Sequence, residues 1–383
     1  MSFLLFRSHP FLIALILLTR FVWPLKINKY LKVLLGIFFI AVSLKLYIYL
    51  LSEGTIMDPK LNRTLSIIFN SLNFSALFLA LLTICRDLIN IFYKILKKRK
   101  TAYLIAPHSL LCALMLALFS FSLGSVGTYN AFKAPQITDY TLTLNNLPQE
   151  ADGYKILFLS DLHISSPISK SDVEAIVALT NQENADLIVI TGDLVDGSIE
   201  SLKDRTDILF KLKARDGIYA VSGNHEFYSG YEAWLKYFSQ GGFKFLENKA
   251  AVIKDDKQRQ RPLFNLSGVS DKNSRNINKI TSDLKQALAN RDKNLPTILL
   301  SHQPAFAYEA QGQADLILSG HTHGGQAPLI KNLVASANKG LVSGLYKLKS
   351  TQVLVSNGTK LWMGFPLRLN TPSEIIKITL KAK

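Results

Sequence analysis

Two textures divide the chain. Up to about residue 130 the apolar positions run in long stretches with few polar interruptions: Pro10–Leu25, Val33–Leu51, Leu65–Ile84 and Leu104–Val126. The last three come close to the ~20 apolar residues that carry a helix across a bilayer. The first is shorter and interrupted by Arg20. From Gly153 onward, short apolar runs alternate with helix-like polar segments, the pattern of an α/β arrangement. Five runs are nearly uniform in hydrophobicity: Ile156–Leu159, Leu187–Ile190, Ile218–Val221, Thr297–Leu300 and Leu316–Leu318. Such runs suit strands covered on both faces. The expected organisation is a transmembrane domain over 1–126 with about four helices (10–25, 33–51, 65–84, 104–126), a juxtamembrane tether over 127–149, and an α/β domain over 150–383. Tyr140–Leu144 within the tether can add an edge strand.

Charge sharpens this division. The net charge of +16 is uneven: residues 1–149 hold 15 Lys and Arg against 4 Asp and Glu, and residues 150–383 hold 29 against 24. The basic residues of the first half sit beside apolar runs, where they report orientation rather than nucleic-acid binding. Lys26, Lys29 and Lys32 lie between the first two runs, and Lys94, Lys97, Lys98, Arg99 and Lys100 between the last two. The middle loop carries Glu53, Asp58, Lys60 and Arg63, which cancel. The positive-inside rule places both basic loops in the cytoplasm and the C-terminal domain on the extracytoplasmic, periplasmic face of a multi-pass cell-membrane protein. A cleaved leader at the start is disfavoured, because no small-residue cleavage site follows the first run. Arg20 is expected to snorkel to the interface, and Lys45 likewise. Cys85 and Cys112 both sit in apolar runs, which argues against a disulfide framework or a thiolate metal site.

The candidate chemistry follows the apolar runs of the second half. The first ends in Ser160-Asp161-Leu162-His163, and the second in Thr191-Gly192-Asp193. The third leads to Ser222-Gly223-Asn224-His225-Glu226, the fourth to Ser301-His302, and the fifth to Ser319-Gly320-His321-Thr322-His323-Gly324-Gly325. Of seven histidines in the chain, five stand at these strand ends. Open α/β sheets build their sites there. Asp161 with His163, and His321 with His323, are two apart, a spacing that in extended backbone sends both side chains to one side. Carboxylate, imidazole and amide ligands without thiolate suit Mn, Fe, Zn or similar divalent ions. Two such ions about 3.5–4 Å apart would clamp the attacking and departing oxygens of a phosphoryl group.

The order D-x-H, G-D-x-x-D, G-N-H-E, a lone strand-end His and G-H-T-H resembles the calcineurin-like metallophosphoesterase superfamily over about residues 150–380. The G-H-T-H-G-G-Q form after apolar runs is similar to its membrane-bound bacterial branch, as are Asn357-Gly358-Thr359, Pro366-Leu367-Arg368-Leu369 and Pro372-Ser373-Glu374-Ile375. The resemblance implies a four-layer αββα sandwich and a metal-dependent hydrolase of phosphoesters or pyrophosphates. It implies two divalent metal ions, one held by Asp161, His163 and His323, the other by Asn224, His302 and His321, with Asp193 bridging. His225 would protonate the leaving oxygen, oriented by Glu226, and the nucleophile would be a metal-bound hydroxide. Purple acid phosphatases carry a Tyr ligand three residues after the bridging Asp. Here that position is Asp196, expected to steady a ligand by a hydrogen bond.

Three further features are weighed by spacing. Phe227, Tyr228, Tyr231, Trp234, Leu235 and Phe238 recur at helical intervals, favouring a buried face over an aromatic lid. Leu361–Pro366 can dip into a membrane interface or pack as a loop near the site. Asp255–Arg261 is expected to be a solvated hairpin tip. The expected partners are the lipid bilayer and a phosphorylated, amphiphilic small molecule, with Trp362, Met363 and Phe365 against an acyl chain. Nucleic acid is not expected. A UDP-2,3-diacylglucosamine pyrophosphatase of lipid A biosynthesis is the alternative the resemblance offers, and a non-catalytic membrane signalling protein is a second.

Overall fold

The uniformly apolar runs of the second half all fold as strands. The computed structural model describes residues 3–99, 101–255, 261–272 and 281–383. The chain divides into two units, Met1–Asn130 and Ala131–Lys383.

Twelve strands of the second unit form two six-stranded sheets. They are β1 (Gln136–Leu144), β2 (Lys155–Leu159), β3 (Leu187–Thr191), β4 (Ile218–Val221), β5 (Phe243–Phe245), β6 (Lys249–Asp255), β7 (Arg261–Gly268), β8 (Thr297–Leu300), β9 (Leu316–Ser319), β10 (Gly344–Leu348), β11 (Thr351–Val355) and β12 (Glu374–Ala382). The first sheet has the order β1-β12-β2-β3-β4-β5, the second β10-β11-β9-β8-β7-β6. β2 to β5 are mutually parallel, as are β7, β8, β9 and β11. Parallel neighbours bring their carboxyl ends to one edge, and the motifs follow those ends.

Alternation explains why the runs show no polar face. Ile156, Phe158, Leu187, Val189 and Val221 point between the sheets, where they meet Phe264, Leu266, Ile298, Leu300, Leu316 and Leu318. The intervening Leu157, Leu159, Ile188 and Ile190 are equally buried on the opposite face. On the second sheet, Leu299, Ile317, Val353 and Val355 pack outward against Phe306, Ala307 and Ala310. Helix Lys170–Gln182 buries Val173, Ile176 and Val177 on its inner stripe. The result is a four-layer αββα sandwich.

The segment expected as a tether is mostly structured. Helix Leu110–Phe132 runs beyond Val126, and β1 pairs with β12 in parallel over nine residues, from Gln136 opposite Glu374 to Leu144 opposite Ala382. An apolar Leu142 and Leu144 at period 2, both buried, give that strand its inner face. The interior of the expected hairpin tip at Asp255–Arg261, residues 256–260, lies outside the described residues.

Among the described residues, two helices are long and apolar enough to cross a membrane, Arg63–Lys97 and Leu110–Phe132. A third candidate is the pair Lys29–Ser43 and Lys45–Leu51, bent by 70°. The break falls at Leu44, and the buried ammonium of the next residue, Lys45, lies over the rings of Tyr49 and Phe74 at 5.4 and 5.5 Å. The run expected over 33–51 is therefore two helices. Pro10–Val22 is a shorter apolar helix. Arg20 does not simply snorkel: its Nε donates to Asp87 Oδ2 at 2.7 Å, and its carbonyl accepts from Arg86.

Candidate metal centre

Each strand-end residue can be placed from its own hydrogen bonds. Asp193 follows β3 and stands at the middle. Its Oδ1 accepts the His225 backbone N–H at 2.9 Å. Its Oδ2 faces three imidazole nitrogens: Nε2 of His302 at 3.1 Å, of His163 at 3.6 Å and of His225 at 3.9 Å. On one side, His323 Nε2 lies 3.6 Å from Asp161 Oδ1 and 3.1 Å from His163 Nε2, with the two rings stacked. On the other, His321 Nδ1 lies 3.2 Å from His302 Nε2. Asp161, His163 and His323 form one group able to hold a cation, and Asp193, His302 and His321 another. His163, Asp193 and His225 also lie close enough to form a third.

The backbone that achieves this is not extended, contrary to the spacing argument for the paired motifs. Asp161, His163, Asp193, His321 and His323 all have positive φ, between 45° and 72°. Non-glycine residues rarely adopt this left-handed conformation, and clusters of it mark sites where geometry outranks local preference. The turns are held by neighbours: Asp161 N–H donates to the Gly192 carbonyl, and His163 N–H to that of Asp193. Two glycines are demanded by close approach, since a Cβ on Gly223 would overlap the Asp193 carboxylate and one on Gly320 that of Asp161.

Tautomers decide which nitrogens are free to bind. His163 Nδ1 lies 3.1 Å from both oxygens of Asp196, and His225 Nδ1 bonds to the same carboxylate. His302 Nδ1 donates to the Thr191 carbonyl at 2.7 Å. A carbonyl or carboxylate can only accept, so each Nδ1 carries the hydrogen, and in their neutral forms His163 and His302 turn an Nε2 lone pair inward. At His302 that lone pair faces a carboxylate oxygen, an arrangement that calls for a cation between them. Asn224 Oδ1 is buried and has no hydrogen-bond partner. A buried acceptor without a partner, on the residue next to His225, suits an oxygen ligand, and the donor set as a whole fits divalent metal.

The Calcineurin-like phosphoesterase family model matches residues 154–325. An uncharacterized metallophosphoesterase of Helicobacter pylori is 37% identical over 260 residues, which are 67% of this chain and 67% of that protein. The chain belongs to the calcineurin-like metallophosphoesterases. A second relative, from Aquifex aeolicus, is 31% identical over 65% of this chain and 92% of its own length. A third is a transmembrane protein with a metallophosphoesterase domain from Danio rerio, 31% identical over 74% of this chain and 66% of that protein. That relative is described as a transmembrane protein, and the first unit of this chain has helices long and apolar enough to cross a membrane.

Electrostatics of this metallophosphoesterase centre follow from burial against mutual attraction. Burial raises the Asp161 carboxyl. Burial pulls the same way at Asp193, but the His302 and His225 imidazoles beside it win and hold it well below the usual range. Burial would lower His302, yet Asp193 lifts it well above its ordinary value. His225 is raised to about 9 against its burial by Asp193 and Asp196. His321 is lowered to about 3 by burial and the neighbouring His302, and His323 is lowered by burial and His163. The attraction that draws a proton to His302 is the one a divalent cation would satisfy.

Several neighbours escaped the sequence reading. Glu226 does not orient His225; its carboxylate accepts backbone N–H groups of Asp193, Leu194 and Gly223 at 3.0, 2.6 and 2.7 Å and clamps two ligand loops together. Asp196 takes the orienting role. Ser160 Oγ donates to Asp161 Oδ2, and Thr191 Oγ1 to Ser160. Buried Arg368 spreads its guanidinium over the carbonyls of Lys360, Gly358 and Thr371 and approaches His323 Nδ1 at 3.3 Å. The Pro-Leu-Arg-Leu motif was the available signal, but nothing in it says that the arginine turns inward. Leu361–Pro366 is a packed loop: Met363 is fully buried and cannot meet an acyl chain, while Trp362 stands edge-on to His225 at 6.1 Å. The aromatic run expected as one helix is two, Asn224–Ser229 and Tyr231–Gln240, parted at Gly230. Phe227, Tyr231, Trp234 and Phe238 are core, whereas Tyr228 is exposed and lies 5.6 Å from His225.

Proposed function

We propose that this chain hydrolyses a phosphoester or pyrophosphate at the outer face of a membrane, through two divalent cations that share Asp193. Asp161, His163 and His323 hold one; Asn224, His302 and His321 hold the other. The observation carrying this reading is Asp193 Oδ2, which faces inward-turned imidazole lone pairs, with an orphaned Asn224 Oδ1 in the same cluster. When bound, the cations supply charge that lowers the pKa of water and neutralises the phosphoryl oxygens. His225, its Nδ1 held by Asp196, is the proton carrier that would give an Nε2 hydrogen to the departing oxygen. Trp362 and Tyr228 flank that ring and bound the leaving-group side. Anchoring beside apolar helices favours a substrate concentrated in the same plane, an amphiphilic phosphate or pyrophosphate.

Full-length protein should turn over an aryl phosphate with Mn²⁺ and stop after exhaustive chelation; undiminished turnover without divalent metal would sink the mechanism. The orientation has its own check. In a background lacking Cys85 and Cys112, Lys254→Cys should react with an impermeant thiol reagent in cells with an intact inner membrane, and Lys98→Cys should not. The reverse pattern places the centre in the cytoplasm.

A further inference from the structure

Helix Pro328–Ala337 begins three residues after the His323–Gly325 turn and has no buried residue. Its sequence is Pro-Leu-Ile-Lys-Asn-Leu-Val-Ala-Ser-Ala. Surface helices ordinarily turn their apolar stripe to the core. This one turns leucines outward: Leu329 is 74% exposed and Leu333 66%. They stand one turn apart on the same face, and Ala337 extends that stripe.

The charge around the helix is as unusual as its hydrophobicity. From Leu316 to Ser373 the chain contains no Asp or Glu, but six basic residues: Lys331, Lys339, Lys347, Lys349, Lys360 and Arg368. The unit from residue 150 holds 29 basic and 24 acidic residues, so outside this stretch it holds 23 and 24. The whole basic excess of the domain is concentrated here. Lys360 and Arg368 are buried, whereas Lys331, Lys339, Lys347 and Lys349 are exposed.

We propose that Pro328–Ala337 is an interfacial helix that docks on an anionic lipid surface, with Leu329 and Leu333 at the acyl boundary and the exposed lysines among the headgroups. The proposal rests on the reading that this chain is membrane-held. Outward leucines with lysines, in a stretch of chain without Asp or Glu, are the pattern of helices that lie in a bilayer surface. A protein interface is the poorer fit. Ten residues with two protruding leucines offer far less than the ~800 Å² per partner of a stable complex, and lysine is depleted from interface cores. A bilayer needs no matching shape, and the chain carries helices able to cross one.

The consequence reaches the metal centre. Gln326, between the turn and the helix, donates from its side chain to the Phe365 carbonyl, and its own carbonyl accepts from Leu369 N–H and Thr371 Oγ1. The helix start is therefore tied to the loop that carries Trp362. Docking would fix the mouth of the site against the plane from which an amphiphilic substrate is drawn.

The test uses the full-length chain, lacking Cys85 and Cys112, in liposomes of phosphatidylcholine with phosphatidylglycerol. A polarity-sensitive fluorophore on Leu333→Cys should emit to the blue and be quenched by lipids brominated high in the acyl chain. The same label on Lys254→Cys should do neither. Replacing phosphatidylglycerol with phosphatidylcholine should weaken the quenching at 333. Water-like emission at 333 would overturn the proposal. So would blue emission without lipid quenching, which would assign the face to a second copy or another protein. In an activity arm, Leu329→Ser with Leu333→Ser should lower kcat/KM for bilayer-embedded phosphatidate roughly tenfold and leave a soluble aryl phosphate unchanged. If the unsubstituted chain hydrolyses neither compound, the catalytic reading fails, and the quenching still judges the docking by itself.

Discussion

Two sets of imidazoles meet at Asp193, and they are secured by different means. On the Asp161 side, His163 is held by the Asp196 carboxylate, and His323 lies beside the Arg368 guanidinium. On the Asn224 side, His302 is held by a main-chain carbonyl, that of Thr191 at the end of β3. Side-chain anchors can be removed without touching a ligand; a carbonyl built into a central strand cannot. One side of the centre is therefore open to tuning by second neighbours, and the other is as rigid as the sheet.

Breaking the shared element should have the largest effect. Asp193→Asn removes charge from both sides at once and should reduce aryl phosphate turnover by at least about 10³-fold, with loss of bound metal by elemental analysis. His225→Ala touches neither side as a ligand. It should retain metal and lose about 10²–10⁴-fold in rate, less for substrates whose leaving group needs no proton. A fall in metal content there would make His225 a ligand and blur the comparison. Asp196→Asn should weaken metal binding on the Asp161 side by about 10–100-fold and leave the second equivalent tight, read by metal titration. Equal weakening of both equivalents would erase the distinction between side-chain and main-chain anchoring. The smallest effect is expected for Arg368→Lys. It loses the forked reach to the carbonyls of Lys360, Gly358 and Thr371 and should destabilise the domain by about 1–3 kcal/mol in thermal unfolding.

Much of the fold could be read along the chain because the strands are buried on both faces. Uniform apolar runs such as Leu187–Ile190 leave little choice of structure, and β3 and β4 fall where those runs lie. Apolar windows were equally plain in the first unit, though hydropathy alone does not reveal a 70° bend at Leu44. β1 was only partly visible, since its alternation is clear at Leu142 and Leu144 but half-exposed before them. Asp196 steadies the ligand His163 as its position suggested, but it also holds His225, the role expected of Glu226, for a physical reason. Adjacency to His225 in sequence says nothing about direction, and the turn at Asn224 sends Glu226 back toward the loop after β3.

What the sequence determined by itself is the chemistry of the centre: which residue types stand at which strand ends, and hence oxygen and nitrogen ligands without thiolate. That is local information, carried by side-chain identity next to apolar runs. Only the tertiary structure decided the left-handed backbone of five of these residues, the Asp196 carboxylate shared by His163 and His225, and the inward turn of Arg368. Each involves partners distant in the chain, 33 residues from His163 to Asp196, 29 from Asp196 to His225 and 45 from His323 to Arg368, and a strained φ is tolerated only where such contacts outweigh its local cost. The same holds for the outward leucines of Pro328–Ala337. Their hydrophobicity is written in the chain, but their exposure is a tertiary fact: among the described residues, no element covers them.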